Sequence, residues 1–368
     1  MTHLFFYGTL QHIPLLEIVL GRNAHEIDFA PATLPGHRVY AVHEGPFPTI
    51  LIKNGASAKG LLVRGLTAED IGRLNFYEGS FDYDLTPVTL TDGQSAHVYL
   101  SAPDRWTATD PWSLAGWIDA HGAMTLHAAR EVMGYYGVKT QAEVAPLFPR
   151  IRARAAAKVR AAQTRHGART LQGKVEIDTL TRAYAGFFAL DEMTLRHAQF
   201  DGTMSRGQDR AVFVVSDAAI LLPYDPDRDR VLLVEQIRMG PVLRGDRRCW
   251  QLEAIAGMVD AGEEPADTAR REAQEEAGLT LKSLEPVAEV YASPGNSTEF
   301  YYIYVGLADL PDGTEGTGGL DSEGEDIRSH LMSFDDLMDY VDNFHAANTP
   351  LVLSAYWLAR HRERLRSG

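Results

Sequence analysis

Between residues 110 and 165 the chain changes character, and that change limits its folds more than any other feature. "PWSLAGWIDAHGAMTLHAAREVMGYYG" and "TQAEVAPLFPRIRARAAAKVRAAQTRHG" are alanine-rich and space their apolar residues at helical intervals. Before them, residues 1–103 read as strands and turns: "HLFFYGTL", "GLLVRGL" and "LTPVTLTDGQSAHVYL" stand apart, with Gly and Pro between them. After them strand signals return near Lys174, in "KVEIDTLTRAYAGFFALDEMTLRH" and "RAVFVVSDAAILLPYDPDRDRVLLVEQIR", where "YDPDRD" marks a turn. A helical block between two strand-rich regions makes a mixed α+β chain, and 368 residues are too many for one ordinary domain. The expected parts are a first domain over 1–103, a helical connector over 104–171 and a second domain over 172–368.

Charge and composition then exclude several roles. The net charge of −15 argues against a protein that coats nucleic acid. The basic cluster from Arg150 to Arg165 has no interleaved aromatic residues and reads as the solvated face of a joining helix. A single cysteine, Cys249, excludes an intrachain disulfide and fits a reducing cytoplasm. No basic residue precedes Arg22, so no secretory signal is expected, and the apolar runs fall far short of the ~20 residues of a membrane span. The expectation is a soluble cytoplasmic enzyme with a small-molecule substrate and neither a nucleic-acid nor a membrane partner.

The chemistry concentrates in "GMVDAGEEPADTARREAQEEAGLT", residues 257–280. Pro265 suits a first helical position, Gly278 suits the residue just past the end, and Ala266, Ala269, Ala273 and Ala277 form a small-residue face. Glu272, Glu275 and Glu276 share an arc of roughly 100° on that helix. Like charges so placed cost a few tenths of a kcal/mol, and two of them sit where the helix dipole opposes negative charge. A hard divalent cation removes the penalty; the alternative is a solvated acidic face laced with Arg270 and Arg271.

Gly257, Glu263 and the run from Arg271 through Leu279 stand at the spacing of the Nudix box, and this half of the chain resembles a Nudix hydrolase. That resemblance implies an α/β/α sandwich with a mixed sheet. It also implies cleavage of nucleoside diphosphates linked to another moiety, with Mg2+ and with Mn2+ as substitute. Glu272 and Glu276 would be inner metal ligands, Glu275 a further ligand or a partner of one, and Arg271 would hold Glu263 in a structural ion pair. Pro294 in "SPGNSTEF", sixteen residues beyond Gly278, resembles the ADP-ribose pyrophosphatase branch, as do "AGFFALDEMTLRHAQFDGTMSRGQDR", "LEAIAGM" and "EGEDI".

That branch implies that Arg210 and Arg238 contact ADP-ribose, that Glu253 and the Ala256 carbonyl line the metal and phosphate site, and that Glu299 binds the terminal ribose. Glu323 would be the general base on a closing loop, with Glu325 beside it as ligand or understudy, and Phe187 would stack on adenine. The branch forms homodimers in which an N-terminal segment completes the partner's pocket. The alternative substrates are another nucleoside diphosphate sugar or a dinucleotide.

In the front domain, "FFYGTL" ends a strand on Tyr7, Gly8, Thr9 and Leu10, where glycine lets a ligand approach the backbone and exposed N–H groups can take a carboxylate. Together with "FPTILI", "AKGLLVRGLTAEDIGRLNFYEGSFDY" and "VTLTDGQSAHVYL" it resembles the gamma-glutamylcyclotransferase-like (AIG2-like) fold, which implies a small β-barrel with flanking helices. Glu78 in "LNFYEG" would be the acid/base, a role its context gives it over the Glu44–Gly45 pair. The alternative is a non-catalytic sensor or dimerisation module. The pairing of the two segments resembles that of bacterial proteins associated with tellurite resistance, a resemblance that implies a stress role.

Overall fold

Strand β1 (Thr2–Phe6) sets the plan of the first half by alternation: Leu4 and Phe6 enter one apolar cluster, and Phe5 enters another on the opposite face. The structure, a computed structural model, describes residues 2–79, 83–102, 104–163, 170–319 and 324–367. The chain divides into two compact units, Met1–Thr164 and Arg165–Gly368.

In the first unit β1 is followed by helix α1 (Ile13–Leu20), the long hairpin β2 (Asp28–Val42) and β3 (Gly45–Leu66), helix α2 (Ala68–Glu78), and strands β4 (Tyr83–Thr89), β5 (Ser95–Ser101) and β6 (Ala108–Pro111). They form one sheet in the order β4-β5-β1-β3-β2-β6. The sheet is curled and open, with β4 and β6 as its ends, where the sequence suggested a small barrel. The α-helices α3 (Leu114–Trp117), α4 (Ala123–Met133), α5 (Gln141–Val144) and α6 (Phe148–Ala161) follow. Trp117, Ala129 and Met133 join the cluster formed by Leu4, Leu16 and Leu74, so this helical stretch shares the first unit's core.

Helix α6 is also more than a solvated face. Arg154 is only 3% exposed and donates to Glu131 on α4 at 2.6 Å, and Tyr135 reaches the same carboxylate. A buried guanidinium needs such a partner.

The second unit opens with an antiparallel sheet of β7 (Val175–Ala185), β8 (Ala189–His197) and β9 (Gln208–Val214). Then come β10 (Ala218–Asp225), β11 (Arg230–Ile237), α7 (Met239–Arg244), β12 (Trp250–Glu253), β13 (Ile255–Met258), α8 (Pro265–Ala277), β14 (Ser283–Tyr291), β15 (Phe300–Leu307), β16 (Thr317–Gly318), β17 (Ile327–Ser333), α9 (Phe334–Asp342) and α10 (Thr349–Ser367). The main sheet runs β14-β15-β10-β11-β17-β16, with β12 on β11 and β13 on β10; β10 and β15 are parallel, so the sheet is mixed.

Alternation again assigns the faces. Ile220, Leu222, Val231 and Leu233 pack with α9 and α10, while Ala219, Leu221, Leu232 and Val234 pack with Ala269 and Ala273 of α8. Helices therefore flank the sheet on both faces. The expected turn between β10 and β11 is present, with the Asp225 carboxylate accepting from the Asp227 and Arg228 N–H groups at 3.0 Å. Among the described residues no helix is long and apolar enough to cross a membrane.

Candidate functional site

Helix α8 positions the acidic cluster. Pro265 occupies its first turn, and Gly278 ends it in the left-handed region at φ 64°, letting the Gly278 and Leu279 N–H groups close on Gln274 and Ala273 carbonyls. The Ala269–Ala273 face packs on the sheet, and three residues beyond Ala273, on the same side, Glu276 is carried inward to 2% exposure. Glu272 lies flush on β13. A Cβ on Gly257 would sit 1.8 Å from Glu272 Oε1, so only glycine allows the helix this approach.

Arg271 organises the surrounding charge. Its Nε donates to Glu263 Oε1 at 3.1 Å, and its Nη1 donates to Glu272 Oε1 at 2.7 Å and to Glu275 Oε2 at 2.8 Å. The Glu263 ion pair expected from the sequence thus exists in the same fork that neutralises Glu272 and Glu275. Burial works against the charge of Glu263, but Arg271 and Thr268 hold its carboxyl below the usual range.

The other two glutamates go the opposite way. Burial, with Glu275 and Glu325 adding repulsion against the pull of Arg271, pushes Glu272 up to about 6. Burial and then the charges of Glu272 and Glu325 push Glu276 up to about 9, and its Oε2 is buried without a hydrogen-bond partner among the described residues. Among the described residues no group of three or more His, Cys, Asp or Glu side chains is gathered for a metal ion.

Arg238, at the end of β11, pairs with the buried Glu253 at 2.6 Å. The second Glu253 oxygen accepts from Asn348 Nδ2 at 2.9 Å, and burial raises the Glu253 carboxyl against the pull of Arg238 and Gln236. Glu299 is raised by burial, bonded to Tyr301 and within the field of Arg238. Ala256 pairs with Ile220 in β13, one residue before Gly257. The structure therefore gathers Arg238, Glu253, Glu272, Glu276, Glu299 and Glu325 into one electrostatic neighbourhood.

Phe187 and Arg210 lie on the three-stranded sheet instead. Phe187 stacks edge-on against Phe188, and Arg210 donates to the Asp209 carbonyl at 2.8 Å. Glu323 lies outside the described residues. Sequence reading missed Asn348 and Gln236, which hold Glu253 from positions far along the chain that no local motif marks, and Tyr301, which holds Glu299 from two residues on.

A second candidate site lies in the first unit, a cavity of about 150 Å³. Tyr7, Gly8, Thr9 and Leu10 line it together with Glu78 and Glu44, so both glutamates reach the same space. They are not equivalent. Glu44 accepts from the Thr107 N–H with both oxygens, at 3.0 and 3.1 Å, and that contact holds it below the usual carboxylate range. Glu78 faces the cavity from the end of α2, and burial pushes it up to about 7, where a carboxyl both takes and gives protons. Much of the lining is aromatic and apolar, and Trp117 within it donates to the Pro46 carbonyl at 2.6 Å.

Comparison with known proteins agrees with both halves. The NUDIX domain family matches residues 215–352, and the family described as gamma-glutamyl cyclotransferase, AIG2-like, matches residues 4–117. Over 197 residues the chain is 41% identical to the ADP-ribose pyrophosphatase of Escherichia coli (strain K12), covering 53% of this chain and 93% of that protein. The ADP-ribose pyrophosphatase of Haemophilus influenzae is 35% identical over 189 residues, 51% of this chain and 87% of that protein. The GDP-mannose pyrophosphatase of Cronobacter sakazakii is 30% identical over 155 residues, 42% and 79% respectively.

Proposed function

The chain belongs to the Nudix hydrolase family, and on that premise we propose that its second unit hydrolyses the pyrophosphate of ADP-ribose, giving AMP and ribose 5-phosphate. The observation that carries the reading is Glu276: a buried carboxylate oxygen without a partner, beside Glu272 and in the field of Arg238 and Glu253. Such a group is costly by itself and suits a hard cation. Mg2+ fits this donor set: Glu272 and Glu276 would hold it, and Glu275 and the Ala256 carbonyl would add to its ligands. When bound, it neutralises pyrophosphate oxygens and supplies a nucleophilic water.

The chain's own groups do the rest. Arg238, steadied by Glu253, orients the diphosphate; Glu299 takes ribose hydroxyls; Glu325 and Glu323 serve to remove the proton from the attacking water. Arg271 keeps the Glu263 loop against α8 throughout. Phe187 and Arg210 would complete the adenosine end within a homodimer.

The rival substrate is another nucleoside diphosphate sugar, and the lower identity to the GDP-mannose pyrophosphatase favours ADP-ribose. The test is product analysis with ADP-ribose and Mg2+. AMP and ribose 5-phosphate should appear, and Glu276→Gln should lower turnover roughly a hundredfold or more, the scale of losing one electrostatic contact to a transition state. Full activity in that variant sinks the assignment of Glu276.

For the first unit, the Glu78 cavity supports cyclisation of a small γ-glutamyl amide. The substrate's α-amine bonds to its γ-carbonyl carbon, the γ-amide C–N bond breaks, and Glu78 carries the proton from the attacking amine to the departing one, leaving 5-oxoproline.

A further inference from the structure

We infer that Asn348 is a positioning residue for Arg238: by engaging the second oxygen of Glu253 it holds the guanidinium on the first, aimed at the diphosphate. Glu253, on β12, is only 4% exposed, and its two oxygens serve different partners. Arg238 Nε donates to Oε1 at 2.7 Å, and Nη2 lies 2.6 Å from that same oxygen. Oε2 accepts from Asn348 Nδ2 at 2.9 Å. The Arg238 side chain stays 41% exposed, so donors remain for a substrate.

This division of the carboxylate sets the arginine. Left to themselves, a guanidinium and a carboxylate meet fork to fork, with two parallel bonds to the two oxygens. Asn348 prevents that arrangement by occupying Oε2, and both contacts of Arg238 fall on Oε1. A buried carboxylate oxygen needs a partner. Without the amide, Oε2 would draw the guanidinium round, and donors now open to a diphosphate would turn to Glu253.

The amide is itself held at its other end. Asn348 stands just before α10, where its carbonyl accepts from the Val352 N–H and its Oδ1 from the Leu351 N–H, both at 3.1 Å. This is an N-cap, and it fixes which end of the amide turns to Glu253. The helix is anchored in turn, because Leu351, Ala355 and Leu358 are fully buried in the core against the sheet. Asp and Ser cap a helix about as well as Asn. Only Asn carries a separate NH2 group for the carboxylate while its oxygen accepts from the helix.

The inference rests on the reading of Arg238 as the diphosphate contact, and the experiment separates the two. The probe is ADP-ribose with a methylene group in place of the bridging oxygen, titrated calorimetrically into the full chain with Mg2+, so that binding is read without turnover. Asn348→Ser and Asn348→Asp keep the cap and remove the donor, and both should melt close to the wild type. Each should weaken binding about tenfold, within the range found for contacting residues of one network. Arg238→Gln should weaken it at least as much, and adding Asn348→Ser to that variant should change little more, because one residue acts through the other. Wild-type affinity in both Asn348 variants, or losses that add in the double variant, overturns the proposal and leaves Arg238 in its role. Wild-type affinity in Arg238→Gln removes Arg238 from the diphosphate, and the proposal falls with that reading. A wild type that does not bind the analogue overturns both. If one Asn348 variant does not fold, the other decides; if neither folds, Asn348 serves the fold and the proposal fails.

Discussion

Glu78 and Glu276 are both carboxyls that burial pushes upward, to about 7 and about 9 respectively, but the surroundings give them different uses. Glu276 faces other carboxylates, so a cation is the natural relief. Glu78 faces a cavity and sits where its proton exchanges freely at neutral pH, as a base and then an acid must. Turnover of a γ-glutamyl amide should therefore rise with pH about a midpoint near 7, as the base form appears. The stability sign follows from the same shift. The folded-state value lies above the ordinary value of 4.5, so the protonated form favours the fold below about 4.5, and that contribution is lost as pH rises through 7. Glu78→Gln should abolish turnover at every pH and should melt higher than the wild type at pH 8, with the gap closing towards pH 4.5. Parallel melting temperatures across that range would remove Glu78 from the titration.

At the scale of elements, the decisive contact is the approach of α8 to β13. A Cβ on Gly257 would stand 1.8 Å from Glu272 Oε1 and 2.4 Å from its Cγ, so Gly257→Ala must push the carboxylate aside. Overpacking of this kind costs about 1–3 kcal/mol. Denaturation should register that loss, and ADP-ribose hydrolysis should fall at least about tenfold, because Glu272 leaves its place beside Glu276. An alanine variant of unchanged activity would mean that the helix position is not what sets the site.

Helix α8 and its two faces were legible in the sequence because what makes them is local: Pro265 at the start, Gly278 at the end, alanines on one side and glutamates on the other; that Gly257 of β13 receives Glu272 was not. The turn at Asp225 was legible for the same reason. The parallel pairing of β10 with β15 was not, and neither was Asn348 holding Glu253 across 95 positions. Such contacts depend on how distant elements stack, and no short-range pattern encodes that. Arg154 and Arg152 illustrate the limit at one helix. In sequence they look like members of a solvated basic stripe; in the fold one is buried against Glu131 and the other lines a cavity.

For the whole molecule the outstanding surface is β7. Val175, Ile177, Leu180 and Tyr184 are all well exposed, Ile177 at 55% and Leu180 at 58%, on a sheet of only three strands. A set of exposed apolar side chains on one strand is what a partner surface offers. The same sheet carries Phe187 and Arg210, which the described contacts keep apart from the acidic helix. If a second copy covers β7, these two residues gain a site to serve, and assembly and substrate affinity become linked. The expected mass in solution is thus twice the 40.6 kDa of one chain. Ile177→Glu with Leu180→Glu should give a folded monomer, since both side chains lie mostly in solvent, and should raise the KM for ADP-ribose more than it lowers kcat, because the acidic helix and its neighbours remain intact. Light scattering and steady-state kinetics on one preparation check both halves. A wild type that stays monomeric at micromolar concentration, or a monomeric variant with unchanged KM, would separate this sheet from the active site.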